Sequence, residues 1–312
     1  MTTDMLEPSA SHSPAGDETD ATGMAPADAL AAGIDRPLLV RRAVGALVTA
    51  FGILILVLVL FLYTFTPLTA GRDQHRLLAS LTGNPLSTFA LTKGTVPPEG
   101  SPVALLRIPR LHLTEAVVAG TSASDLEAGP GLMSGTVLPG EQGNAVIAGR
   151  RVTFGGPFHS IGTLRRGDEA RVTDGLGTFR YRVRSLGTVV AGQHDVVGGT
   201  KDNRLTLITS NSSVATTGRE VVELALVGRP VPSPTQVAQV IPPYQRGLSG
   251  EPGAGWKVLL WVVLFLLAAA TTGVALARWR RPLPTYLLAA PILLACGLFA
   301  VEAVGQALPA TF

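Results

Sequence analysis

The sequence contains a single cysteine, Cys296, among its 312 residues, and this scarcity excludes several kinds of site. One cysteine cannot form a disulfide within the chain, and it cannot supply a cysteine-based metal site. We therefore predict no metal centre and no cofactor. Charged residues make up only 15% of the chain, without a basic stripe or an aromatic platform, so nucleic-acid binding is not predicted either.

Basic residues are absent from residues 1–35, although this segment contains seven Asp or Glu residues among Ala, Pro, Ser, Thr and Gly. A segment of this composition cannot bury enough apolar surface to fold, so we predict a disordered cytoplasmic tail. The lack of a basic start also distinguishes it from a secretory signal peptide. The apolar run that follows it is therefore expected to be an uncleaved anchor.

Long apolar runs are what the sequence has in abundance, since 46% of its residues are hydrophobic. Three of these runs approach or exceed the roughly 20 residues that an α-helix needs to cross a bilayer. We therefore predict three transmembrane helices. They lie within residues 36–66, 255–278 and 285–308, with a cytoplasmic turn at 279–284 between the last two.

Arginines cluster at one end of each predicted helix. Arg36, Arg41 and Arg42 precede the first run, while Arg278 and its neighbours lie between the second and third runs. Because cytoplasmic loops carry an excess of Lys and Arg, the N-terminus and the 279–284 turn are predicted to be cytoplasmic. Everything between the first two helices is then predicted to be extracytoplasmic, in a multi-pass protein of the plasma membrane that contacts lipid directly.

The extracytoplasmic part divides into a spacer at 67–98, a folded region at 99–229 and a Pro/Gly-rich linker at 230–254. Alternating and β-branched segments in the folded region predict a mainly β domain of seven or eight strands with short helices at 124–128 and 158–164. Many short strands and tight turns favour a closed barrel or a sandwich. The strand candidates are 103–108, 111–118, 144–148, 169–173, 178–185, 204–209 and 220–226.

Three segments carry the chemistry-bearing motifs. Leu-Pro-Gly-Glu-Gln-Gly-Asn-Ala-Val-Ile-Ala-Gly spans 138–149 and is followed by Arg150. Leu-Thr-Leu-Ile-Thr spans 205–209 and is followed by Ser210, and Arg219 lies nine residues further on. A strand that ends on a small hydroxyl-bearing residue is where an acyl-transfer enzyme would place its nucleophile.

Together with Leu-Arg-Ile-Pro-Arg-Leu-His-Leu over 106–113, these motifs resemble the sortase family, the cysteine transpeptidases of Gram-positive cell surfaces, and class E sortases in particular. The resemblance implies a closed sortase-type β-barrel. It also implies that Ser210 occupies the position of the catalytic cysteine and Arg150 that of the catalytic histidine. Arg219 occupies the position of the catalytic arginine and keeps its residue type.

Only one of these three positions keeps the chemistry that the family mechanism requires. A serine hydroxyl needs a neighbouring base to become a nucleophile, and arginine stays protonated at any relevant pH. His194, in the loop before the Ser210 strand, is the candidate replacement base. If no base reaches Ser210, catalysis through cysteine-type chemistry is lost.

Three functions remain open at this point. The first is a degenerate sortase that binds cell-wall sorting-signal peptides or anionic wall components, with Arg150 and Arg219 beside the hydroxyls of Thr209 and Ser212 as the binding groups. The second is an active serine-dependent transpeptidase or hydrolase that acts on sorting-signal peptides. The third is a structural subunit of a membrane complex with other membrane proteins.

Overall fold

The computed structural model describes residues 36–60, 66–83, 98–190, 200, 202–212, 218–232, 253–278 and 282–311. The predicted tail at 1–35 and the candidate base His194 lie outside the described residues. So do residues 279–281 of the predicted cytoplasmic turn (279–284), residues 84–97 of the predicted spacer and residues 233–252 of the predicted linker.

Eight strands close into one barrel, in the order β1-β2-β3-β4-β7-β8-β6-β5. The pairs β2/β3 and β4/β7 are parallel and the other pairs are antiparallel, so the barrel is mixed. The predicted closed β-barrel is confirmed. The strands are β1 (Pro102–Ile108), β2 (Leu113–Ala119), β3 (Gly131–Leu132), β4 (Asn144–Ala148), β5 (Glu169–Asp174), β6 (Gly177–Val190), β7 (Arg204–Ser210) and β8 (Gly218–Val227).

The barrel interior is filled by the apolar residues whose alternation predicted the strands. Leu205 and Leu207 of β7 are fully buried with Val222 of β8, and Phe158 from the loop after β4 packs into the same core. Burying a side chain of this size contributes about 1.5–3 kcal/mol each. Strand β7 lies between β4 and β8 and is buried along almost its whole length, so the segment that ends in Ser210 is held rigidly.

Local structure departs from the prediction at four places. The two-residue β3 is too short to show a period-2 pattern, and β6 continues past a bulge near Ser185 to Val190. The helix predicted at 158–164 shortens to a single 3-10 turn, Ile161–Thr163. Residues 111 and 112 precede β2, because Pro109–Leu111 forms a 3-10 turn that His112 closes in the left-handed region.

The described residues contain five α-helices besides the barrel: α1 (Arg36–Leu60), α2 (Thr66–Gly83), α3 (Asp125–Ala128), α4 (Ala254–Arg278) and α5 (Pro282–Ala307). In the described part of the chain, one stretch, Ala254–Ala275, is long and apolar enough to cross a membrane. The prediction of three spans is therefore supported for one helix only. The described apolar stretch of α5, Leu288–Val304, is shorter, and residues 61–65 of the first run lie outside the described residues.

The three apolar helices pack against each other. A Cβ added at Gly297 of α5 would lie 3.6 Å from the Phe265 ring of α4 and 3.9 Å from the Leu54 side chain of α1. Trp261 of α4 stacks on Phe299 of α5, with 4.6 Å between ring centroids. Both distances are ordinary van der Waals contacts, so Gly297 marks a point where the three helices meet without requiring a glycine there.

Helix α2 is attached to the barrel through the side chain of Gln74. Its Nε2 donates to the carbonyl oxygens of Ala116 and Ala128 (3.1 and 2.7 Å), and its Oε1 accepts from the Ala116 N–H at 2.8 Å. These bonds serve backbone groups at an edge of β2 and at the end of α3. The segment directly after the first apolar helix is therefore docked rather than extended.

We predict that Gln74→Ala releases α2 from the barrel and lowers the free energy of unfolding by about 1–3 kcal/mol, because buried backbone groups lose their partners. Limited proteolysis of the full chain in detergent should then cut within α2 much faster than in the wild type. Arg76→Ala, which removes an exposed side chain of the same helix, is the matched control. Equal cleavage rates for the two variants would contradict the docking role.

Candidate functional site

The candidate site lies where β4 and β7 end and β8 begins. The parallel pairing of β4 with β7 sets Ala148 beside Ile208, so the residues that follow β4 lie next to Thr209 and Ser210. The antiparallel pairing of β7 with β8 sets Ser210 directly opposite Arg219. The fold thus brings together Ser210, Arg219 and the 149–151 segment, as their motifs predicted.

Ser210 is fully buried at the end of β7. Its hydroxyl donates to the carbonyl oxygen of Ser212 at 3.1 Å, and its own carbonyl oxygen accepts from Arg151 Nη1 at 3.0 Å. The loop that follows is closed by Asn211, whose N–H donates to the Gly218 carbonyl oxygen and whose Oδ1 accepts from the Gly218 N–H. Among the residues that the structure describes, the partner of the Ser210 hydroxyl is therefore a carbonyl oxygen and not a base.

Arg219 stands across the strand pair from Ser210 and is largely buried, with 8% of its surface exposed. Its Nη1 donates to the Gly218 carbonyl oxygen at 3.4 Å. Burial lowers the pKa of its guanidinium, because leaving water disfavours the charged form. The charge is placed beside Ser210, where the family places its catalytic arginine.

Arg150 is directed into the protein. Its side chain is completely buried. Its Nε donates to the Leu126 carbonyl oxygen at 3.2 Å, its Nη1 to Thr153 Oγ1 at 3.0 Å and its Nη2 to the Ala123 carbonyl oxygen at 2.7 Å. The guanidinium therefore ties the end of β4 to the backbone of α3.

The charge of Arg150 is partly neutralised inside the protein. Glu127 Oε1 lies 3.8 Å from Nη2, and the Phe154 ring lies beneath the guanidinium, 4.6 Å from its carbon. Burial lowers the pKa of Arg150 to about 10, and Glu127 opposes this shift. The group stays protonated at neutral pH, so it cannot act as a base. Its placement also differs from the expected open anion site, because its donors serve the protein itself.

Sequence reasoning missed Arg151, the neighbour of Arg150. Its Nη1 donates to the Ser210 carbonyl oxygen and to Glu220 Oε2 at 2.5 Å, so it joins the end of β7 to β8. The signal that was available is the pair Arg219-Glu220, which places one charge of each sign on opposite sides of β8. Glu220 lies on the face of β8 opposite Arg219, and its carboxylate pairs with the guanidinium of Arg151.

The hydroxyls predicted to bind substrate are placed differently from each other. Thr209 is fully buried and its Oγ1 donates to the Gly149 carbonyl oxygen at 2.8 Å, which locks β7 to the end of β4. A larger residue does not fit at position 149, because an added Cβ would lie 2.6 Å from the Phe158 ring. Ser212 is half-buried and supplies the carbonyl that receives the Ser210 proton.

Histidines in the described barrel lie elsewhere. His112 is in the turn before β2, and His159 is exposed, with Nδ1 3.0 Å from the Gly156 carbonyl oxygen. Neither forms a hydrogen bond with Ser210. Within the described segments there is also no cluster of three or more His, Cys, Asp or Glu side chains able to hold a metal ion.

Comparison with known proteins gives a consistent result. The sortase domain family model matches residues 106–227. Sortase D of Bacillus subtilis (strain 168) is 35% identical over 95 residues, which are 30% of this chain and 46% of that protein. Sortase A of Listeria monocytogenes is 30% identical over 120 residues, 38% of this chain and 54% of that protein.

A solved structure, sortase E from Streptomyces avermitilis, is 31% identical with a TM-score of 0.38; the match covers 43% of this chain and 93% of that one. The chain spans about half the length of the curated relatives that it matches. The shared region is the barrel, and the apolar helices lie outside it.

Proposed function

We propose, from the premise that this chain belongs to the sortase family through its 106–227 domain, that it is a cell-surface protein of a Gram-positive bacterium whose barrel binds sorting-signal peptides without cysteine chemistry. A sortase C of Clostridium perfringens has been solved with the C-terminal cell wall sorting motif. The surface at the ends of β4, β7 and β8 (the cleft) is the binding surface in this proposal. In this reading Arg219 faces the peptide, while Arg150 supports the wall of the cleft.

One arrangement supports the proposal: the Ser210 hydroxyl donates to the Ser212 carbonyl oxygen, and Arg150, to which the sortase resemblance assigns the position of the base, is completely buried. A hydroxyl becomes a nucleophile only when its proton passes to a base. Arg150 cannot take that proton, and replacing linked nucleophile and base costs about 10⁴–10⁶ in rate. Binding by the cleft requires neither group.

The proposed topology is multi-pass, with the barrel outside. Two contacts support it: the Phe154 N–H donates to Thr66 Oγ1 at 3.0 Å, and the Arg151 N–H donates to the Thr311 carbonyl oxygen at 3.0 Å. Thr66 begins α2 directly after the first apolar helix, and Thr311 follows the last one. Chain ends from both helices thus reach the same loop of the barrel. With three crossings, the C-terminal ends of the first and third apolar helices lie on the same side of the membrane as the barrel, which is where Thr66 and Thr311 are found.

The test is intact-mass analysis of the full chain in detergent after incubation with sorting-signal peptides at millimolar concentration. We expect no covalent adduct on the wild type or on Ser210→Ala. Peptide binding measured by fluorescence anisotropy should fall about 10-fold to 100-fold in Arg219→Ala, because hydrogen bonds to charged groups contribute about 1.5–3 kcal/mol.

Arg229→Ala is the matched control, since Arg229 is exposed just beyond β8. A peptide adduct that forms on the wild type and disappears in Ser210→Ala would overturn the proposal in favour of a serine-dependent transpeptidase. Binding that is unchanged in Arg219→Ala would remove Arg219 from the peptide site.

A further inference from the structure

The chain's own C-terminal segment lies against the candidate site. Helix α5 ends at Ala307, and residues 308–311 leave it toward the barrel. The Thr311 carbonyl oxygen accepts a hydrogen bond from the Arg151 N–H at 3.0 Å. The side chain of the same Arg151 donates to the Ser210 carbonyl oxygen, so Arg151 bridges Thr311 and Ser210.

The seat of this segment is built for a small side chain. Ala310 and Thr311 are completely buried. Ala310 belongs to an apolar cluster whose other members come from the barrel wall around the cleft. Those members are Ala123, Leu126, Met133, Val146, Ala148, Ile208 and Val221. Leu126 also provides a carbonyl for Arg150, so the buried arginine supports the wall on which Ala310 rests.

We infer that residues 308–311 occupy the peptide cleft as a tethered ligand, so that the cleft is closed in cis until this segment is displaced. The segment is Leu308-Pro309-Ala310-Thr311. It has a small side chain at position 310, and the Thr311 carbonyl oxygen accepts from the Arg151 N–H. This inference rests on the proposed peptide-binding function, and it adds that the protein carries its own competitor.

Two features explain why such a segment stays bound and yet can be displaced. A tethered ligand acts at an effective concentration of about millimolar, so even weak contacts hold it against a free peptide. Thr311 Oγ1, however, is buried without a hydrogen-bond partner among the described residues, and an unpaired buried hydroxyl weakens the complex. A free peptide that satisfies its polar groups can therefore compete.

The first experiment measures the seating directly, in the full chain in detergent with Cys296→Ala as background. Ala310→Cys introduces a thiol at the buried position, and Ala307→Cys introduces the matched control at an exposed position of the same helix end. We expect a water-soluble maleimide to label position 310 at least about tenfold more slowly than position 307. Equal labelling rates would overturn the inference.

The second experiment measures competition with a fluorescent, amidated peptide of residues 306–311. A chain that ends after Ala307 should bind it at least about tenfold more tightly than the full chain. Ala310→Leu, which overfills the seat, should move affinity in the same direction, whereas Ala307→Leu should not. Equal affinities of the full and shortened chains would overturn cis closure.

The two experiments separate this inference from the proposed function. If neither chain binds the peptide while the thiol at position 310 stays protected, peptide binding in trans fails and the cis seating stands. If both chains bind the peptide equally well and position 310 is labelled freely, the proposed function stands and the tethered ligand does not.

Discussion

Arg150→Ala is expected to lower the free energy of unfolding by about 3–5 kcal/mol, the cost of breaking a buried, hydrogen-bonded charge site. The substitution leaves the Ala123 and Leu126 carbonyl oxygens and the Thr153 hydroxyl without their partner. It also leaves a cavity beside Phe154, which stacks on the guanidinium. The measurement is a urea titration of the full chain in detergent, followed by far-ultraviolet circular dichroism.

Arg166→Ala is the matched control, because Arg166 is exposed in the turn before β5 and its removal should change stability by less than about 0.5 kcal/mol. Arg150→His, which restores the residue type of the family, should be nearly as destabilising as Arg150→Ala. An imidazole is too short to reach all three acceptors. A loss below about 1 kcal/mol in Arg150→Ala would show that this residue is not a structural tie.

From such a result we would expect that replacing Ser210 by cysteine and Arg150 by histidine does not by itself produce a cysteine enzyme. The arginine at the position of the base has acquired contacts of its own, with α3 and with the loop that follows β4. Exchanging it for histidine removes those contacts before any catalytic benefit appears. If the position that the sortase resemblance assigns to the catalytic histidine is that of Arg150, the buried guanidinium and the absence of a base there are the same feature.

The alternating strands, which end at Gly, Pro or Asp, predicted a mainly β domain that could be a barrel or a sandwich, and the sortase resemblance implied the closed barrel. The same resemblance implied that Ser210 and Arg219 lie in one site, and the pairing of β7 with β8 sets them opposite each other. The same motifs could not show where the Arg150 side chain points. That direction depends on the Ala123 and Leu126 carbonyls, which lie more than 20 residues away in sequence.

The contacts of two other residues, Arg151 and Gln74, could not be predicted from a local sequence pattern. No motif distinguishes Arg151, although its side chain and its N–H contact two different parts of the site. Gln74 was placed in a spacer, because a single amide in a polar helix gives no sign of a partner 42 residues away. The membrane prediction went further than the structure, which supports one of three predicted spans.

The second large effect concerns pH and arises in β5. Asp174 is buried with 6% of its surface exposed; Oδ1 accepts from the Leu176 N–H at 2.8 Å, and Oδ2 has no hydrogen-bond partner among the described residues. Burial raises the pKa of Asp174 to about 7, backbone hydrogen bonds from Leu176 and Gly177 oppose the shift, and Glu141 adds to it. The carboxyl is therefore held in a place that favours its protonated form.

We predict that Asp174→Asn stabilises the protein above pH 7 and has little effect below pH 4. Since the folded state binds this proton more tightly than the unfolded state, whose pKa is near 3.8, wild-type stability falls as pH rises from about 4 to about 7. At about 1.4 kcal/mol per pKa unit, the total loss is up to about 4 kcal/mol. Urea titrations of wild type and variant at several pH values measure it.

Asn keeps the oxygen that accepts from Leu176 and carries no charge at any pH, so the variant's stability should vary much less with pH over this range. Asp202→Asn is the control, because Asp202 is exposed and paired with Arg184 at 3.0 Å, a contact worth less than about 1 kcal/mol. Parallel pH profiles for wild type and Asp174→Asn would mean that the carboxyl is already ionised at neutral pH in the folded protein. The stability of the barrel at the pH of the cell surface would then not depend on this group.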